Sequence, residues 1–149
     1  MASADRVYVD PSALRSLYVH DDRSKRFAAW RKRTDGALVL TRHGYAEMVN
    51  SIMHGIFRGD LEPGEASGAV ADLDEDLRTG RLILADTLWR RALELAAQAS
   101  REHTARTGAR TLDVLHVACA IVLERTTLVT YDRRQRALAE ALGLRVVAP

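Results

Sequence analysis

The chain has 149 residues, 47% of them apolar and 28% charged, with a formal net charge of +2. That length leaves room for one domain, taken as residues 1–149, and the composition excludes a disordered chain, a collagen-like repeat or a long coiled coil. The single cysteine, Cys119, excludes a disulfide framework and any cysteine-rich zinc module, since both need several thiols at set spacings.

In chain order, short runs rich in Val, Leu, Ile, Tyr or Thr alternate with longer stretches of helical period. Strands are expected at 6–10 (RVYVD), 37–41 (ALVLT), 82–86 (LILAD), 127–132 (TLVTYD) and 144–147 (LRVV). Helices are expected near 12–18, 22–34, 43–57, 63–79, 87–106, 111–124 and 133–142. Pro11 stands where proline opens a helix, and Gly80, Gly108 and Gly143 stand where helices stop. Strand and helix alternating in this way predict an α/β fold with a mostly parallel sheet wrapped by helices.

No apolar run reaches the ~18 residues a membrane helix needs, and MASADRVYVD lacks the layout of a signal peptide, so a cytoplasmic setting is expected. Charge is uneven along the chain. Residues 87–149 carry ten arginines against six acids, which makes that half basic and the other acidic. Arginine outnumbers lysine 20 to 2, which fits either a GC-rich genome or a use for bidentate phosphate contacts.

The acids fall in a pattern. Asp10, Asp86 and Asp132 each end a predicted strand, on the edge of a parallel sheet where sites form, although an aspartate there can equally cap the next helix. Asp113 lies in TLDVLHVACAIVL, a segment apolar enough to be buried, with Thr111 as a candidate cap. His116 shares its helix face, as a partner for that carboxylate or as a satisfied core histidine. Glu47 sits on the largely apolar helix HGYAEMVNSIMHGIF. If Asp10, Glu47, Asp113 and Asp132 converge, their repulsion calls for a cation, and all-oxygen ligands suit Mg²⁺ or Mn²⁺. Arg110, Arg133, Arg134 and Arg136 are placed on the same edge, where they could contact the phosphates of a substrate.

Four segments, VYVDPSALRSLY, YAEMVNSI, ARTLDVLHVACAI and LVTYDRRQRALAEALGLRVV, carry a resemblance to the PIN domain over essentially the full chain, and within it to VapC-type toxins of toxin–antitoxin pairs. The resemblance implies a three-layer sandwich, with a short, mostly parallel sheet of about five strands flanked by helices. It implies a Mg²⁺- or Mn²⁺-dependent endoribonuclease with Asp10 and Asp113 as principal metal ligands and Glu47 and Asp132 completing the acidic pocket. Ser12 and Thr130 match supporting hydroxyl positions, whereas Asp86 matches no acidic motif and is assigned to capping. Ala46 departs from the pattern, since many relatives carry a hydroxyl before the glutamate. A VapB-type antitoxin, an RNA substrate and a homodimer are also implied.

Other readings fit less well. A receiver domain would want adjacent acids after the first strand and a late lysine, yet Pro11 follows Asp10 and the only lysines are Lys25 and Lys32. A haloacid-dehalogenase-type phosphatase would want Asp-x-Asp where this chain has Asp-Pro-Ser. The alternative from another class is a catalytically silent PIN-like RNA-binding or scaffold protein.

Overall fold

Parallel strands need crossover connections of a dozen or more residues, which the helices between these short strands supply. The computed structural model, which describes residues 2–149, has this form. A two-residue strand β1 (Ala2–Ser3) leads through a 3₁₀ turn (Ala4–Arg6) into β2 (Val7–Val9), α1 (Pro11–Leu14), a 3₁₀ turn (Arg15–Leu17) and α2 (Ser24–Lys32). Then come β3 (Thr34–Asp35), β4 (Leu38–Thr41), the two 16-residue helices α3 (Arg42–Phe57) and α4 (Pro63–Arg78), and β5 (Leu82–Ala85). The remainder is α5 (Trp89–Ala99), a π-helical segment (Ser100–Thr104), α6 (Ala105–Thr107), α7 (Thr111–Val122), β6 (Thr127–Val129), α8 (Arg133–Ala141) and β7 (Arg145–Val147).

The main sheet runs β5-β4-β2-β6-β7, all parallel. Its first strand, β2, is therefore central, and the chain winds outward from it in both directions, which puts a switch in strand order between β2 and β6. The pair β1–β3, also parallel, was not anticipated, because two-residue strands carry no alternation to read.

The period-2 alternation of each strand feeds two cores. Val7, Val9, Leu38, Leu40 and Val129 pack on Ala13, Leu14, Phe27, Met48 and Leu73 of α1 to α4. Tyr8 and Leu128 point the other way, onto Ala92, Val117, Cys119, Ala120 and Leu138 of α5, α7 and α8. With both faces covered, β2 is buried at every residue, as a parallel strand should be. The architecture is thus an α/β three-layer sandwich with five parallel strands.

Two glycines shape the site edge. Gly108 ends α6 at φ +68°, a left-handed turn that lets the chain reverse into α7. Gly44 opens α3 against α1, and a Cβ there would come within 2.9 Å of Thr41 Oγ1 and 3.0 Å of Leu40 Cδ1. Among the described residues no helix is long and apolar enough to cross a membrane.

Candidate functional site

Asp10 follows β2 directly, and its amide donates to the Val129 carbonyl of β6 at 3.0 Å, so the end of the central strand is locked to its neighbour at the switch point. The side chain caps α1, with Oδ2 accepting from the Ser12 amide at 3.0 Å and from the Ser12 hydroxyl. It is 5% exposed. Its other oxygen, Oδ1, accepts from Gln135 Nε2 at 2.8 Å, and that same amide also donates to the Asp113 carbonyl at 3.3 Å. Gln135 was not singled out from sequence. Nothing in RRQR distinguishes a glutamine that turns inward from three arginines that turn outward until α8 is docked.

Asp132 caps α8, with Oδ1 accepting from the amides of Arg134 and Gln135, both at 2.9 Å. Fully buried Thr130 accepts from the Asp132 amide at 3.2 Å and so sets the turn that carries it. Asp113 is the third residue of α7. Its carboxylate accepts from the Arg110 amide at 3.2 Å, half of a capping box, and Arg110 rather than Thr111 is the residue at the cap. Burial first, then the charges of Asp132 and Asp10, push the Asp113 carboxyl up from its ordinary value, against the opposing pull of the Arg110 N–H and of His116.

Glu47 reaches α7 from the opposite helical layer. Its Oε2 lies 2.6 Å from Nε2 of His116, whose Nδ1 lies 2.7 Å from the Tyr8 hydroxyl. His116 is therefore a satisfied core histidine, bound to Glu47 and not to Asp113, because its ring turns inward toward β2 while Asp113 stays on the open first turn. Glu47 and His43 are four apart on α3 and so share a face, and the His43 ring stacks on His116 at 4.7 Å.

A cleft of about 880 Å³ opens over this edge, lined by Ser12, Glu47, Asp113 and Asp132 together with Arg23, Arg110, Tyr131, Arg133 and Arg134. Asp10 and Thr130, both buried and hydrogen-bonded to the lining residues Ser12 and Asp132, do not line the cleft themselves, and neither does Arg136. Arg23, whose guanidinium sits 4.3 Å over the Tyr131 ring, joins the basic rim unannounced by any motif. Asp86 is no cap. It is exposed and pairs with Arg42 at 2.7 Å, while Leu88 stands at the cap of α5.

Residues 7–141 match the PIN domain. The chain belongs to the PIN domain family. PIN domains are in general nucleases and typically use divalent metal ions, so the chain is of a nuclease kind. Among solved structures, FitAcB from Neisseria gonorrhoeae is similar in fold, with a TM-score of 0.65 and 18% identity over 96% of this chain and 97% of that one. No curated protein matches by sequence.

The PIN cleft can be tested against a divalent ion on its own chemistry. Its acidic donors are hard oxygens, and the Asp113 carboxyl is raised by burial first and then by the charges of Asp132 and Asp10, a strain that a cation would relieve. Among the described residues no three His, Cys, Asp or Glu side chains are grouped closely enough to form a ready-made cage.

Proposed function

We propose that this PIN domain is a Mg²⁺- or Mn²⁺-dependent endoribonuclease and the toxin of a VapBC-type pair. The observation that carries the reading is the cleft at the switch-point edge of the sheet, which Glu47, Asp113 and Asp132 line together with Ser12 under a rim of arginines.

In this reading Asp10 and Asp113 hold the metal, and Glu47 and Asp132 complete the pocket directly or through water. When bound, the ion supplies a nucleophile at neutral pH and neutralises charge on the phosphodiester. Ser12 and Gln135 fix both oxygens of Asp10, so that its carboxylate is oriented before a ligand arrives. Thr130 holds the Asp132 turn. Arg110, Arg133 and Arg134 offset the repulsion between an acidic pocket and an RNA backbone by contacting flanking phosphates. A VapB-type antitoxin covering the cleft, a homodimer and a cytoplasmic setting complete the proposal, and these rest on the sequence resemblance.

The test is cleavage of a mixed RNA pool with Mg²⁺ or Mn²⁺, with EDTA, and by Asp10→Asn and Asp113→Asn. Activity that needs the metal and both carboxylates supports the reading, and fully active Asn variants or indifference to EDTA overturn it. A silent RNA-binding or scaffold role has one observation in its favour: Asp10 and Asp132 already serve as helix caps and Glu47 is bound to His116. RNA binding without cleavage in the same assay would select it.

A further inference from the structure

His116 is 1% exposed, and the other buried residues of α7 are Val114, Val117, Ala118, Cys119 and Ala120. An apolar side chain would fill that position without the cost of burying an imidazole. Both ring nitrogens are used, however, and each bond leads to a different layer: Nδ1 to Tyr8 on the central strand, Nε2 to Glu47 on α3. The chain of bonds thus begins in the core and ends on a carboxylate that lines the cleft.

We propose that His116 is a positioning residue for Glu47: Tyr8 holds its ring in the tautomer protonated on Nε2, and that N–H fixes Glu47 Oε2 so that Oε1 is presented to the cleft. The role rests on the nuclease reading above. Direction follows from the phenol. The tyrosine hydroxyl has a proton to give Nδ1, and the Glu47 carboxylate offers Nε2 only lone pairs, so the ring carries its proton on Nε2. His43 limits rotation of that ring by stacking on it at an interplanar angle of 20°, and is itself backed edge-on by Trp89 at 4.9 Å. Burial, and then the neighbouring His116, lower His43 to about 4, so at neutral pH it adds bulk without charge. Glu47 is left with one engaged and one available oxygen, which is the arrangement a carboxylate needs to ligate an ion or a bridging water in one direction only.

Two measurements test this. The first uses the metal-free protein and ¹⁵N-labelled histidine at pH 7.5, with the His116 signals assigned by their loss in His116→Leu. Wild type is expected to show the Nε2-protonated tautomer, and Tyr8→Phe a mixture of tautomers. A proton on Nδ1 alone, on both nitrogens, or no change in Tyr8→Phe overturns the proposal. The second compares His116→Gln, which keeps an N–H that can reach Glu47, with His116→Leu, which fits the core but cannot donate. RNA-cleavage kcat is expected to be about 10-fold or more higher for Gln than for Leu at similar KM, in the range of outer-sphere partners, while thermal stability ranks Leu above Gln. If kcat follows stability, His116 is a core residue only and the positioning role is overturned. If wild type itself lacks metal-dependent cleavage, the nuclease reading falls with this role, and the tautomer result still decides the hydrogen-bond chain by itself.

Discussion

Gln135 and Asp10, 125 residues apart in sequence, are joined by a buried hydrogen bond in which Gln135 Nε2 donates to Asp10 Oδ1 over 2.8 Å. This bond ties α8 to the end of the central strand and satisfies half of a carboxylate that is almost without solvent. Gln135→Met keeps the length of the side chain and removes the donor, leaving Asp10 Oδ1 without this partner. The expected loss is about 1–3 kcal/mol, the usual cost of a buried polar atom left unpaired. Urea unfolding reads it, and a variant as stable as wild type would show that the bond is replaced by water.

Asp113→Asn is expected to raise the melting temperature of the metal-free protein at pH 7. The Asp113 carboxyl is raised in the folded state, by burial first and then by Asp132 and Asp10. A raised acid binds its proton more tightly when folded, so its ionisation costs stability above the folded value, and the cost disappears below the unfolded value. Asparagine removes the charge and can still accept from the Arg110 amide. The gain should therefore be present at pH 7 and absent at pH 3. An equal gain at both values would assign the effect to packing.

His43 predicts a pH dependence of the opposite sense. Burial and the adjacent His116 lower it to about 4, from an ordinary value near 6.5. Between those limits the unfolded chain binds the proton and the folded one does not, so this contribution is fully present above pH 6.5 and is lost as pH falls toward 4. His43→Phe keeps a ring between His116 and Trp89 and cannot titrate. The stability of wild type relative to His43→Phe, measured by chemical unfolding, is expected to decline from pH 6.5 to pH 4. A gap that stays constant across that range would contradict the lowered value.

Replacing Arg133 and Arg134 together with alanine is expected to weaken RNA binding and flatten its salt dependence while leaving Mn²⁺ affinity nearly constant. Each lost phosphate contact should reduce the slope of log K against log salt by about 0.7 for single-stranded RNA. The caps of α8 survive, because Asp132 accepts from main-chain amides and not from guanidinium groups. Filter binding at several salt concentrations checks it, and an unchanged slope would leave the basic C-terminal half as a matter of composition.

Element order and type were legible in the sequence, because strands and helices write their own periods. The five strands expected at RVYVD, ALVLT, LILAD, TLVTYD and LRVV are the five of the main sheet, each shorter by one to three residues, and Pro11, Gly80, Gly108 and Gly143 mark the boundaries they were read to mark. The placement of Asp10 and Asp132 just beyond strands was legible for the same reason. Asp86 stands at an equivalent point on β5, and sequence could not say that it would pair with Arg42 on the exposed side instead of capping a helix.

What the sequence determined by itself was local: period, breaks, and an acid at the end of each of three strands. Only the tertiary structure decided which of those ends became neighbours. Strand order put β2 beside β6, so Asp10 and Asp132 end adjacent strands and both act on Asp113, while Asp86 lies two strands away. The same holds for the bonds that orient the acids, Gln135 to Asp10 and Tyr8 through His116 to Glu47, which join residues 125, 108 and 69 positions apart. Such pairs leave no trace in local spacing. They form because packing two helical layers onto one parallel sheet strips water from these polar groups, and each must then find its partner on another element.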